Sequence, residues 1–181
     1  KVFVGCKYGY LYVFDLKIGN IIGCFEGENT IIGIEKVGDL IYIGCRNRWI
    51  YALNYSLNKV FEKRFNKSLS GMGVVGNKLI VAEYFGKIYC LDGNKILWEL
   101  YKRGITNITI KNNKIAVSCV SEVYLLDDKG NAIKVFESKK DNNYNYKIKN
   151  HSKLDVYCGN YGMYIVEKVF GKHIVETIYY Y

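Results

Sequence analysis

Proline is absent from this 181-residue chain, and histidine, methionine and tryptophan occur only twice each. Without proline, tight turns fall to glycine and asparagine, which tolerate a positive φ. With His151 and His173 the only imidazoles, acid–base catalysis by histidine has almost no material. No apolar run approaches the ~18 residues of a membrane-spanning helix. A Cys-x-x-Cys pair, a Walker loop, a nucleophile elbow and a dinucleotide fingerprint are all missing, which removes common zinc, redox, nucleotide and hydrolase readings. The opening Lys1-Val2-Phe3-Val4-Gly5 is neither a signal peptide nor an initiator methionine, so the chain is expected to come from a longer or processed one.

Half of the residues are apolar, enough for one sizeable core in a chain close to the ~150 residues of a typical domain. Tyrosine occurs 18 times, and 26 lysines and arginines against 17 acids leave a formal charge of +9. Three markers recur in step along the chain. The first is a strand closing on a small residue and then, in four copies, a thiol: Val2–Cys6, Ile41–Cys45, Leu79–Glu83, Ile115–Cys119 and Leu154–Cys158, with last positions 39, 38, 36 and 39 residues apart. The second is an apolar residue and a tyrosine leading to a carboxylate or amide: Tyr12 to Asp15, Tyr51 to Asn54, Tyr89 to Asp92, Tyr124 to Asp127 and Tyr164 to Glu167. The third is a turn residue opening another strand, at Asn20, Asn58, Asn94, Asn131 and Gly171.

A fourth segment, such as Thr30 to Val37, reaches the next unit through Gly38-Asp39, Gly76-Asn77, Asn112-Asn113 or Asn150-His151, pairs suited to two-residue hairpins. Each unit is therefore expected to be four short antiparallel strands, a to d from first to last. No stretch of about ten residues carries the 3.6 period of a helix. So small a sheet, apolar on both faces, is stable only when packed against its neighbours, and the radial arrangement that does this is a β-propeller. The expected fold is all-β, a single β-propeller domain over 1–181 of about five repeats, approximately 1–39, 40–77, 78–113, 114–153 and 154–181. The frame opens on strand b, so the first blade lacks its inner strand. Ring closure then needs residues outside the chain or another chain, unless the ring has five blades with one of three strands.

The stretch Gly86-Lys87-Ile88-Tyr89-Cys90-Leu91-Asp92 followed by Asn94-Lys95-Ile96-Leu97-Trp98, with Ile50-Tyr51-Ala52-Leu53-Asn54, resembles the repeat of pyrroloquinoline-quinone-type propellers. The resemblance spans all five copies, although Cys24, Glu62, Val135 and Val175 stand where the third copy has its tryptophan. The histidine, tryptophan and aspartate signatures of WD40 blades are missing. The resemblance implies fold more than function, because the repeat serves both quinone-dependent dehydrogenases and non-enzymatic scaffolds. The family's enzymes imply calcium-binding carboxylates and long inserted loops. The loops here are short, so the non-enzymatic branch, with no cofactor, is the expectation.

Cys6, Cys45, Cys119 and Cys158 share one repeat position, with Cys24 and Cys90 on strands d and c. Their expected state is unpaired and buried, like small hydrophobes. Disulfides or a metal site are the alternatives, although equivalent positions in different blades point in different directions. Asp15, Asn54, Asp92, Asp127 and Glu167 are expected to cap c-to-d hairpins as Asx-type turns rather than bind calcium. Gly71-Met72-Gly73 is expected on a strand. No catalytic residue and no metal ligand is assigned.

Net charges of −1, +5, +3, +3 and −1 on successive repeats put the positive excess on the three middle units. In a propeller the b-to-c and d-to-a loops share one face. There they carry the candidate binding residues Arg46, Arg48, Trp49, Tyr84, Phe85, Lys102 and Arg103, with Lys67, Tyr101, Lys139 and Lys140 nearby. No acid in these loops is expected to neutralise Arg46 and Arg48, so both should face water or a partner. Basic and aromatic groups on one rim suit an acidic protein surface, or a nucleic acid as an alternative. A codon-driven excess of lysine, asparagine, isoleucine and tyrosine, with no partner, would produce the same composition. Unpaired thiols argue for the cytoplasm, whereas four glycosylation-type sequons at Asn54, Asn66, Asn107 and Asn150 argue for an extracellular structural protein.

Overall fold

The computed structural model describes residues 1–120 and 122–137 and, through their backbone, three further strands; nothing beyond the backbone is described from residue 137 onward. The strands are β1 (Val2–Gly5), β2 (Tyr10–Phe14) and β3 (Ile21–Glu26) in a first sheet. β4 (Ile31–Val37), β5 (Leu40–Cys45), β6 (Trp49–Leu53) and β7 (Lys59–Arg64) form a second. A third holds β8 (Leu69–Val75), β9 (Lys78–Glu83), β10 (Lys87–Asp92) and β11 (Lys95–Tyr101). The fourth holds β12 (Ile105–Lys111), β13 (Lys114–Cys119), β14 (Glu122–Leu126) and β15 (Ala132–Glu137). The fifth comprises β16 (Lys153–Gly159), β17 (Gly162–Val169) and β18 (Lys172–Tyr179). Every sheet is an antiparallel meander of sequence neighbours, and no helix occurs among the described residues. The sheets follow one another through contacts of β1 with β4, β4 with β8, β8 with β12 and β12 with β16, and they do not close into a ring.

The strands form where apolar residues alternate between two buried faces. On β5, Ile41, Ile43 and Cys45 face the first sheet with Leu11, while Tyr42 faces the third with Leu79 and Val81. On β9, Ile80 and Ala82 turn the other way, onto Ile115 and Val117 of the fourth sheet. The inner strands lock by steric fit. A Cβ added at Gly44 would come 2.6 Å from Met72 Sδ, and one at Gly73 would come 2.7 Å from Ile110 Cδ1. Strands β4 and β8 reach β5 and β9 through turns at Gly38 and Gly76, with φ of 57° and 58°, and β12 reaches β13 through Asn112 and Asn113 at 49° and 57°. Asn150-His151 lies outside the described residues.

The five repeated tyrosines all fall on the strand before the outermost one of their sheet, and Tyr12, Tyr51, Tyr89 and Tyr124 pair opposite Val4, Ile43, Val81 and Val117. Tyr51 is 4% exposed and its ring meets Phe25 of the first sheet at 5.5 Å; Tyr89, also 4% exposed, meets Phe65 at 5.0 Å. Tyr124 and Tyr12 are half-buried, and Tyr12 lies on the face of the first sheet turned away from the second. In the fifth sheet Tyr164 pairs with Tyr157, not with the expected Val156, so that hairpin runs one residue out of step.

The thiols follow the same geometry. Cys45, Cys90 and Cys119 are buried and unpaired. The expected burial of Cys6 is corrected to half-burial, because it follows β1 on the face that no described sheet covers; Val2 and Val4, on that face, are 37% and 40% exposed. Cys24 is exposed on the outer strand β3, and Cys158 lies among residues whose side chains are not described. Burial raises the Cys45 and Cys119 thiols to about 11.

Asp15 and Asn54 cap their c-to-d turns through Oδ1, accepting from Lys17 N and from Ser56 N and Asn58 N. Asp127 Oδ1 likewise accepts from Lys129 N and Asn131 N. Asp92 departs from this expectation as the last residue of β10, paired with Lys95 across a tight Gly93-Asn94 turn. Glu167 departs too, as it lies inside β17 opposite Ile174.

Two outcomes follow from the packing. Replacing Tyr51 or Tyr89 by alanine should cost about 3–5 kcal/mol in urea unfolding, as for other buried aromatics, and the same change at half-buried Tyr12 clearly less. In a native alkylation time course at pH 8, followed by mass spectrometry, Cys24 should react first and Cys45, Cys90 and Cys119 last. Prompt native labelling of Cys45 and Cys119 would contradict the burial.

A candidate binding rim

The loops after strands b and d interlock through their backbones. Arg46 N donates to Thr30 O (2.9 Å), Phe65 N to Arg48 O (2.8 Å), Tyr84 N to Ser68 O (2.8 Å), Phe85 N to Ile105 O (3.1 Å) and Lys102 N to Gly86 O (3.2 Å). These bonds join the loops of the first four sheets into one continuous rim. Tight b-to-c loops leave amides and carbonyls without ladder partners, and the adjoining d-to-a segments supply both carbonyls and amides to them.

Arg46 and Arg103 are exposed, Phe85 is 55% exposed, and Arg48, Trp49, Tyr84 and Lys102 are half-buried. Trp49 stacks on Tyr51 with centroids 6.3 Å apart, and the Arg64 guanidinium lies 5.7 Å from its ring. The Lys102 ammonium lies 3.9 Å from the centre of the Tyr124 ring. Tyr84 and Phe85 lie side by side at 6.3 Å. Two of these seven residues are held at positive φ, Arg48 at 82° and Phe85 at 51°, where a side chain crowds its own backbone. Arg48 takes the place that Gly9 holds, at φ 92°, in the first sheet. Lys139 and Lys140 lie outside the described residues.

The rim carries acids, although none forms an ion pair with Arg46 or Arg48 among the described residues. Glu28 Oε2 accepts from Asn47 Nδ2 at 3.2 Å, and Glu122 Oε2 accepts from the Tyr124 hydroxyl. The two ion pairs among the described residues, Lys59–Glu62 and Lys87–Glu99, leave the seven rim residues out. The acid that sequence reasoning missed is Glu83, only 2% exposed, at the position where other repeats carry cysteine. Its Oε1 accepts from Asn66 N (2.7 Å) and Lys67 N (2.9 Å), and its Oε2 accepts from the Tyr89 hydroxyl (3.3 Å). Burial, and then the Glu83 charge, push the Tyr89 phenol well above its ordinary range. The signal in the sequence was the break in the thiol series, which carried no direction of its own.

Among the described residues no three His, Cys, Asp or Glu side chains converge as a metal site would require. A groove of about 530 Å³ lies at the opposite end of the first two sheets, against Phe3, Ile34, Glu35, Lys36, Ile41 and Tyr55, and takes in none of the rim residues.

The strain at Arg48 has a measurable consequence. Arg48→Gly should raise stability by about 0.5–1 kcal/mol, the left-handed cost of ~1–2 less the larger unfolded-state entropy of glycine. Arg46→Gly, at an ordinary φ, should lower it, and paired urea titrations compare the two.

No family model and no curated protein matches the sequence. Solved structures do match in shape. BamB from Moraxella catarrhalis aligns at 16% identity and a TM-score of 0.70, over 93% of this chain and 55% of its own. A chain of the mitotic checkpoint complex aligns at 9% identity and 0.69, over 92% and 55%. The β-propeller domain of Myceliophteria thermophila Cps50 (Swd1) aligns at 10% identity and 0.68, over 92% and 58%. The chain thus spans a little over half the length of each of these neighbours. At such identities the likeness is one of fold alone, and it makes this chain a set of β-propeller blades, all-β and not closed into a ring.

Proposed function

We propose that the chain is a non-enzymatic propeller scaffold that holds an acidic protein surface against the rim of Arg46, Arg48, Trp49, Tyr84, Phe85, Lys102 and Arg103. The observation that carries this reading is the strained backbone at Arg48 and Phe85, two of the seven residues, on loops that both bond to the 65–68 loop between them. Strain of this kind persists where surrounding structure imposes it and clusters at binding sites. Arginine and aromatic side chains are the types enriched at the centres of protein interfaces, because they bury large area at modest entropic cost. The cations add attraction for an acidic surface and speed encounter. A protein partner is further supported by the checkpoint-complex neighbour, which by its name is part of an assembly.

Polyglutamate serves as the acidic polypeptide probe and a single-stranded oligonucleotide as its nucleic-acid counterpart, with quenching of Trp49 emission as the readout. Polyglutamate should bind the unaltered chain at low salt. The doubly reversed Arg46→Glu, Arg48→Glu protein should bind it at least ~10-fold more weakly there and differ little at high salt, since the screening length falls from ~30 Å at 0.01 M to ~3 Å at 1 M. Equal binding by the reversed protein at low salt would reject the rim. Oligonucleotide binding without polyglutamate binding would move the function to nucleic acid.

A further inference from the structure

The rim holds a buried carboxylate, Glu83, which no other described repeat has. Cys6, Cys45 and Cys119 occupy the position of Glu83 in the other repeats with described side chains. In the second sheet the preceding loop lies against the thiol and the tyrosine, a Cβ on Gly27 coming 3.5 Å from both Cys45 Sγ and Tyr51 Cε2. In the third sheet the corresponding loop makes hydrogen bonds to a carboxylate: the amides of Asn66 and Lys67 converge on one oxygen of Glu83, and the Tyr89 hydroxyl donates to the other. Neither ion pair among the described residues includes Glu83, so its charge is met by hydrogen bonds. Burying a charge on neutral donors costs far more than burying a thiol. Packing alone does not account for the exchange.

What the carboxylate touches does account for it. Asn66 and Lys67 belong to the loop between β7 and β8, and Glu83 closes the strand that leads directly into Tyr84 and Phe85. The Lys67 ammonium, on the tethered loop, donates to Phe85 O at 2.9 Å, and Tyr84 N donates to Ser68 O. Gly86 completes the fit, since a Cβ there would come 2.9 Å from Glu83 Oε2. In the second sheet, where the smaller thiol stands, the matching position carries Arg48. We propose that Glu83 is a positioning residue: its carboxylate pins the 65–68 loop to the 84–86 loop and so holds Phe85, in its left-handed conformation, and Tyr84 out for a partner. This rests on the rim being the binding surface.

The test compares Glu83→Cys, which restores the thiol of the other repeats, with Glu83→Gln, which keeps an oxygen acceptor of the same shape. Amide exchange at Asn66 and Lys67 is read by NMR, with Ile80 and Val81 on β9 as controls, beside affinity for polyglutamate. In the cysteine protein, Asn66 and Lys67 should exchange at least ~10-fold faster while the β9 amides hold, and polyglutamate affinity should fall by a similar factor. The glutamine protein should fall between cysteine and wild type on both measures. A role in packing alone would make glutamine equal to glutamate, and that result overturns the proposal. So does unchanged exchange at Asn66 and Lys67 in folded Glu83→Cys, or faster exchange with undiminished affinity. Should the cysteine protein not fold, the glutamine comparison decides. If wild type fails to bind polyglutamate while exchange shifts as expected, the rim reading falls and the loop clamp stands without it.

Discussion

The contact between successive sheets, in which a side chain of one inner strand seats over a glycine of the sheet before it, carries the rest of this molecule. A four-stranded sheet with apolar residues on both faces has no stable existence alone, since each face exposes the surface that water penalises. Met72 over Gly44 and Ile110 over Gly73 bring neighbouring backbones close enough that β5 and β9 bury both of their faces. The first sheet shows the converse. Val2 and Val4 match Ile41 and Ile43 in sequence position, yet they are 37% and 40% exposed against 2% and 0%. Only the presence of a packed neighbour separates the two pairs.

That geometry also decides where polar groups can be used. Inside the stack nearly every side chain is apolar, and Glu83 and Ser118 are the buried polar exceptions among the described residues. At the loop ends the backbones of adjacent sheets cross, ladder partners run out, and amides and carbonyls seek each other between loops. This is how the left-handed Arg48 and Phe85 and the buried carboxylate are accommodated on the rim: backbone there can depart from strand geometry without breaking the core. The outer strands tolerate much looser order of type, with Ile22, Val60, Ile96 and Ile133 all well exposed.

Much of the architecture was readable from periodicity, because a repeat multiplies each weak local signal. Tyr51 and Tyr89 fall where the pattern put them, between sheets, and Gly38, Gly76, Asn112 and Asn113 take the positive φ their types allow. The pattern failed where a residue's fate depends on something other than its own repeat. Cys6 shares the motif of Cys45 but lacks a covering sheet. Asp92 shares the capping position of Asp127 but precedes a shorter turn, so its carboxylate has no loop amides to gather. Of the candidate site, six of the seven rim residues were legible as loop positions, while Trp49 opens β6. Glu83 was not, because a carboxylate closing a strand reads as exposed until the loop that buries it is in place.

The sequence by itself determined strand order, the antiparallel meander and the alternation of buried faces, because these depend on neighbours within one repeat and on the two-residue period of a strand. Only the tertiary structure decided which loops meet, which repeated positions are covered and which backbone is strained. Those outcomes depend on contacts between different loops, such as Lys67 with Phe85, 18 residues apart, or Glu83 with Asn66, 17 residues apart, which no local pattern encodes.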